Sequence, residues 1–164
     1  MSHNVETPAG SLERAIAIAA SAHAGQTDKG DAPYILHPLR VMLRLTDRRA
    51  QIAAVLHDVI EDGDGWSVGR LADEGFSQEV IDAVRAVTRR PDEEAPEGAG
   101  ADEQARLYLR FVQRAAGHPI GRQVKAADLE DNLDVSRLPQ PLRASDVARL
   151  ARYRQALDWL RDSS

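Results

Sequence analysis

Four polar side chains crowd the run AVLHDVIEDG at residues 54–63: His57, Asp58, Glu61 and Asp62. On a helix at about 100° per residue, His57 stacks over Glu61 and Asp58 over Asp62, and the four cover an arc of roughly 140°. Ile52, Val55, Leu56, Val59 and Ile60 fill the rest of the circumference. A solvated face would mix Lys, Glu and Gln, whereas a largely apolar helix carrying three carboxylates calls for a cation beside them. Two other segments offer matching groups. In VKAADLEDNL (124–133), Asp128 lies one turn after Lys125 and one turn before Asn132; in YILHPLRV (34–41), His37 stands at a helix start. Taken singly, these read as a solvated helix end, a polar face with local ion pairs and a packed or capping histidine. Taken together, His37, His57, Asp58 and Asp128 are two imidazoles and two carboxylates, a set that suits one divalent transition metal with positions open for water and substrate. Such a metal lowers the pKa of its bound water, and a carboxylate nearby can position that water or move its proton.

The elements that must hold these residues are helical nearly throughout, because alanine, leucine and arginine dominate and no alternating strand pattern stands out. Ser11 caps a first helix to about Ala24, stopped by Gly25. Residues 26–36 form a Gly-, Pro- and Asp-rich loop, and His37-Pro38 opens a second helix. Asp47 caps a third from about Arg48 to Glu61, broken by Gly63, Asp64 and Gly65. Ser67 begins a short helix ended by Gly75, and Ser77 caps another to about Arg89. The acidic PDEEAPEGAG, residues 91–100, predicts a mobile loop. Helices follow from about Asp102 to Gly117 and from Pro119 to about Asn132. After a loop over 133–144, Ser145 or Asp146 caps a last helix to about Arg161. Met1–Gly10 reads as disordered. Eight or so helices with short connections predict one all-α domain over residues 1–164, an orthogonal bundle.

Composition narrows the function. The 164 residues suit one domain with one core. With no cysteine, a disulfide framework, zinc ribbon, iron–sulfur cluster or cysteine nucleophile is excluded. The net charge of −5 and the lack of a basic tract argue against a nucleic-acid partner. No apolar run is long enough for a transmembrane helix and no signal peptide opens the chain, which predicts a cytoplasmic protein without a membrane partner.

The runs AHAGQTDKGDAPYILHPLRV (22–41), AVLHDVIEDG and VKAADLEDNL, in this order and spacing, resemble the HD-domain metal-dependent phosphohydrolases. Within them, the chain is similar to the hydrolase domain of the RelA/SpoT family and to the stand-alone small alarmone hydrolases, including the metazoan SpoT homologues. The likeness runs from Leu12 to about Leu160. It implies an HD-type helical bundle and metal ligands His37, His57, Asp58 and Asp128, usually holding Mn²⁺. It makes Glu61 and Asp62 the pair that orients the attacking water and handles protons. Lys29 matches a basic position near the base and ribose of a small-molecule nucleotide, and Asn132 a polar residue facing that nucleotide. Arg149 and Tyr153, one turn apart, look like an Arg/Tyr pair near the substrate. The implied reaction removes the 3′-pyrophosphate of guanosine tetra- or pentaphosphate (ppGpp or pppGpp), giving GDP or GTP and pyrophosphate. The length leaves no room for the synthetase and regulatory domains of the long family members, so the expected activity is hydrolysis without synthesis.

Departures from the family pattern are specific. Asp28 stands where the family often has a basic residue, Gly63 where it often has threonine, and Asp134 where many members have arginine, with Arg137 three residues on. Arg137 either replaces that arginine or is a helix-end surface residue. Arg40 reads as a surface residue or the partner of a carboxylate. His23 and Tyr34 read as packing residues, and His118 as a helix boundary. Two other readings stay open: an HD-type phosphohydrolase of another nucleotide, NADPH or a dNTP, and a non-catalytic metal- or nucleotide-binding module.

Overall fold

In the computed structural model, which describes residues 7–163, the chain is all-helical. The elements are α1 (Leu12–Ala22), α2 (Leu36–Leu43), α3 (Arg48–Leu56), α4 (Val59–Asp62), α5 (Val68–Asp73), α6 (Gln78–Val87), α7 (Ala101–Ala116), α8 (Pro119–Asn132) and α9 (Ala144–Asp162). Short 3₁₀ turns sit at Pro91–Glu93 and Val135–Arg137. An isolated antiparallel bridge, Thr27 to Pro33, is the only β pairing among the described residues.

Side-chain caps start several helices where the sequence places them. Ser11, Asp47, Ser67 and Ser77 accept from Arg14, Ala50, Arg70 and Val80 backbone N–H groups, satisfying donors a helix start leaves open. His118 does the same through Nδ1 for Gly121 and precedes Pro119 at the first position of α8. The last helix departs from expectation. Its cap is Arg143, and Asp146 sits inside the first turn, accepting from the Arg143 N–H at 3.3 Å, so neither Ser145 nor Asp146 is the cap.

The predicted third helix is two pieces. Its ladder breaks at His57-Asp58, with α3 ending at Leu56 and α4 beginning at Val59. The His57 ring causes the competition: its Nδ1 donates to the Ala54 carbonyl at 2.6 Å, while the His57 backbone N–H shares that same carbonyl at 3.5 Å. His57 and Glu61 therefore do not share one uninterrupted helical face.

At the centre is α3, which contacts α1, α2, α6 and α8; α8 in turn contacts α2, α6, α7 and α9. The inner residues Ala53, Ala54, Val55 and Leu56 of α3 and Val124 and Leu129 of α8 are fully buried. Alanines let the helices approach closely, and the larger residues fill the space between. Gly63 belongs to this packing: a Cβ there would lie 2.5 Å from the Val59 carbonyl oxygen and 2.9 Å from the Ala22 Cβ, which accounts for glycine in place of threonine.

Residues 7–10 are tied down at Gly10, whose N–H donates to the Glu74 carbonyl at 3.0 Å; the rest of the segment expected to be disordered, residues 1–6, lies outside the described residues. In the acidic stretch 91–100, Glu93 is buried rather than solvated. Arg114 grips its carboxylate with Nε at 2.5 Å and Nη2 at 2.7 Å, and also donates to the Ala86 and Thr88 carbonyls. Burial alone would raise the Glu93 pKa, but the Arg114 hydrogen bonds outweigh it and hold it below the ordinary value. The sign follows: this pair's stabilisation is present above the ordinary carboxyl range and is lost as pH falls through it. Glu93→Ala leaves a largely buried guanidinium without its counter-charge and is expected to cost about 3 kcal/mol, read as a lower urea midpoint at neutral pH.

Candidate metal centre and substrate cavity

Four separate stretches meet at the polar centre. The start of α2 brings His37, the α3–α4 break brings His57 and Asp58, the middle of α8 brings Asp128, and the 26–36 loop brings Tyr34. The loop is closed by backbone bonds, Asp28 N–H to Ala32 O at 2.8 Å and Tyr34 N–H to Gln26 O at 2.9 Å. Gly30 is required there, because a Cβ would come 2.2 Å from the Arg137 carbonyl oxygen.

Both imidazoles have fixed tautomers. His37 Nδ1 donates to Asp131 Oδ2 at 2.8 Å, and His57 Nδ1 donates to the Ala54 carbonyl. Each therefore turns an Nε2 lone pair inward. Those lone pairs face more acceptors: His37 Nε2 is 3.1 Å from Asp128 Oδ1 and 3.8 Å from Asp58 Oδ2, and His57 Nε2 is 3.0 Å from Asp58 Oδ2 and 3.6 Å from Asp128 Oδ1. Acceptors facing acceptors repel unless something positive lies among them. The His57 Nε2 atom is buried and has no hydrogen-bond partner. His37, His57 and Asp128 offer ligand atoms all within 4.8 Å of one another, and the Asp58 oxygen borders the same point. Two imidazoles and carboxylate oxygens fit a divalent transition cation. Without one, protons take its place: burial would lower both histidine pKa values, yet the facing carboxylates raise them.

The surroundings hold this cluster in place. Asp131, fully buried, bonds His37 and is itself held by Arg40 at 2.9 and 3.1 Å and by Arg137 at 3.2 Å. A carboxylate behind a ligating histidine fixes its tautomer and strengthens it as a ligand. Asp131→Asn is expected to weaken divalent-cation affinity about 10–100-fold, checked by calorimetric titration of manganese. Tyr34 donates its hydroxyl to Asp58 Oδ2 at 2.5 Å, and Asn132 donates to Asp128 Oδ1 at 2.7 Å. The buried Lys125 pairs with Asp128 Oδ2 at 2.6 Å, so it neutralises a ligand candidate from inside the fold.

Glu61 and Asp62 stand just beyond, on α4, exposed to a cavity of about 550 Å³. Glu61 accepts the Arg89 backbone N–H at 2.5 Å, and the Asp62 carbonyl accepts from Gln26 Nε2 at 2.7 Å. Desolvation raises both carboxyl pKa values, and the Asp58 charge pushes the same way. The cavity is lined by His37, Asp58 and Asp128 and also by Lys29, Asn132, Arg149 and Tyr153, so these sequence-selected residues come together; the buried His57 lies behind the wall. Arg149 pairs with Asp146 at 2.8 Å, and Tyr153 packs on Tyr108.

Sequence reasoning assigned Tyr34 to packing and passed over Asp131. Asp131 had a signal: it is one turn beyond Asp128, a carboxylate already selected on the same helix. Arg40 is the carboxylate partner the sequence suggested. Asp28 turns out to organise its loop, accepting from Gly30 and Ala32 N–H groups, while Arg137 neutralises it at 3.2 Å; the structure thus joins two of the family departures in one contact.

An all-helical bundle with a histidine–carboxylate cluster at its centre defines the class, and comparison with known proteins gives the family. The HD domain family matches residues 15–114, a span that ends before Asp128. The chain belongs to the HD domain family. It is 33% identical over 126 residues to the guanosine-3′,5′-bis(diphosphate) 3′-pyrophosphohydrolase of Aquifex aeolicus, covering 74% of this chain and 17% of that protein. It is 30% identical over 128 residues to the GTP pyrophosphokinase of Myxococcus xanthus, covering 74% and 16%. It is 44% identical over 55 residues to the bifunctional (p)ppGpp synthase/hydrolase SpoT of Escherichia coli, covering 31% and 8%. The chain thus spans less than a fifth of the length of these relatives. None of its described helices is long and apolar enough to cross a membrane.

Proposed function

We propose that this chain is a cytoplasmic, manganese-dependent hydrolase that removes the 3′-pyrophosphate of guanosine tetra- or pentaphosphate. The observation that carries the reading is the buried, unpartnered His57 Nε2 facing Asp58 and Asp128, beside Glu61 and Asp62 in a cavity that Lys29 and Arg149 also line. The names of the relatives support the substrate. In this reading His37, His57, Asp58 and Asp128 hold one Mn²⁺, which supplies Lewis acidity and a lowered pKa for bound water. Glu61 and Asp62 orient the attacking water and take its proton. Water adds to the phosphorus on the ribose 3′-oxygen, the P–O3′ bond breaks, and a proton returns to that oxygen, leaving GDP or GTP and pyrophosphate. Lys29 meets the base and ribose, Asn132 keeps Asp128 oriented while facing the nucleotide, and Arg149 and Tyr153 flank the phosphates. The pairing of Asp28 with Arg137 removes the charge objection to a polyanion near Lys29.

The test is turnover of guanosine tetraphosphate by the purified protein with and without Mn²⁺, with products separated by chromatography. Metal-dependent release of GDP and pyrophosphate is expected. Stoichiometric metal binding with no turnover would overturn the substrate assignment, and a panel of NADPH and deoxynucleoside triphosphates would then find the replacement.

A further inference from the structure

Of the chain's two lysines, Lys29 is exposed, whereas Lys125 is only 6% exposed and has no part in the proposed reaction. Its Nζ lies 4.6 Å from the centre of the Phe111 ring, 5.3 Å from that of Tyr108 and 2.6 Å from Asp128 Oδ2. Little water reaches a charge placed there, so its field is weakly screened. The spacing on α8 fixes the arrangement. Lys125 and Asn132 stand one turn to either side of Asp128, and each donates to a different one of its oxygens.

Asp128 is thereby divided. Its Oδ1 faces both imidazoles, 3.1 Å from His37 Nε2 and 3.6 Å from His57 Nε2. Its Oδ2 is turned to Lys125 and is not free to bind the same ion. The charges divide in the same way. Asp58 and Asp128 together would balance a divalent ion, but Lys125 cancels one of those two negative charges in advance. The lysine's charge acts on Asp58 and on Glu61 as well. Two positive charges separated by one carboxylate in a poorly hydrated place repel each other. Asp131 strengthens His37 as a ligand, and Lys125 does the opposite to Asp128.

We propose that Lys125 is a positioning residue that holds down the affinity of this centre for its cation, by keeping Asp128 to one ligating oxygen and by opposing the charge of the ion. The coordination position that a second Asp128 oxygen would take stays open, and the ion stays exchangeable. The inference rests on the assignment of His37, His57, Asp58 and Asp128 as metal ligands in the proposed function. It is independent of which nucleotide is cleaved.

Calorimetric titration of manganese into Lys125→Met and Lys125→Gln tests this. Methionine keeps the apolar stem over Phe111, and glutamine keeps a donor for Asp128 Oδ2. Both variants are expected to bind manganese at least about tenfold more tightly than the unaltered protein. Thermal unfolding gives a second readout. Without metal the Lys125→Met midpoint should fall, because Asp128 loses its counter-charge. Saturating manganese should then raise that midpoint by more than it raises the midpoint of the unaltered protein. A lysine that only supports the fold has no means of tightening metal binding when it is removed. Equal or weaker affinity in either variant would therefore overturn the proposal. Tighter binding in a protein that cleaves no guanosine tetraphosphate would support it and overturn the substrate reading. Absence of stoichiometric manganese binding in all three proteins would overturn both.

Discussion

His57→Ala is expected to abolish stoichiometric manganese binding and to lower hydrolysis about a thousandfold or more, the scale of several kcal/mol that a Lewis acid contributes to phosphoryl chemistry. The argument is one of acceptors. His57 Nδ1 is committed to the Ala54 carbonyl, which leaves Nε2 as a lone pair directed at Asp58 and Asp128. Alanine removes that lone pair and leaves two carboxylates with one fewer neighbour able to share a cation. Calorimetric titration of manganese and turnover of guanosine tetraphosphate, on protein with unchanged far-ultraviolet circular dichroism, check both halves. Binding at undiminished affinity would place the metal elsewhere.

Glu61→Gln separates binding from catalysis. The amide is isosteric, and its oxygen can still accept the Arg89 N–H, so α4 should stay in place. What disappears is a group able to take a proton. Manganese affinity should remain within a few-fold of the unaltered protein, while kcat falls about 10²–10⁴-fold, the usual worth of a general base. A variant that keeps full turnover would leave Asp62 as the proton acceptor. A non-catalytic binding module would instead show no turnover before the change and unaltered nucleotide affinity after it.

Much of the fold was legible because its signals are local. Ser11, Asp47 and Pro119 mark helix starts by chemistry that acts within three or four residues, and the structure has helices beginning directly after the first two and at the third. The break at His57-Asp58 was not legible. No glycine or proline announces it, and it arises when one side chain takes a carbonyl from its own helix. The arc argument for His57, Asp58, Glu61 and Asp62 assumed an unbroken helix, yet the same four residues still gather, because α4 continues directly from the break and packs on α1. Tyr34 and Arg137 illustrate the other limit. Their partners, Asp58 and Asp28, are 24 and 109 residues away, and no periodicity within either segment points to those contacts. Arg40 has two readings in the sequence, a surface residue or the partner of a carboxylate, and the structure supplies Asp131.

The centre that draws on α2, the α3–α4 break and α8 exists only when distant parts of the chain are folded together. An unfolded chain presents the same histidines and carboxylates scattered, with little reason to hold one ion among them. The cation is therefore linked to the folding equilibrium: at a free concentration 100 times its dissociation constant it adds about 2.7 kcal/mol to the native state. Resistance to heat and to proteases should then track the supply of a divalent cation that fits this centre. In a metal-starved cell a protein with such a centre would lose lifetime.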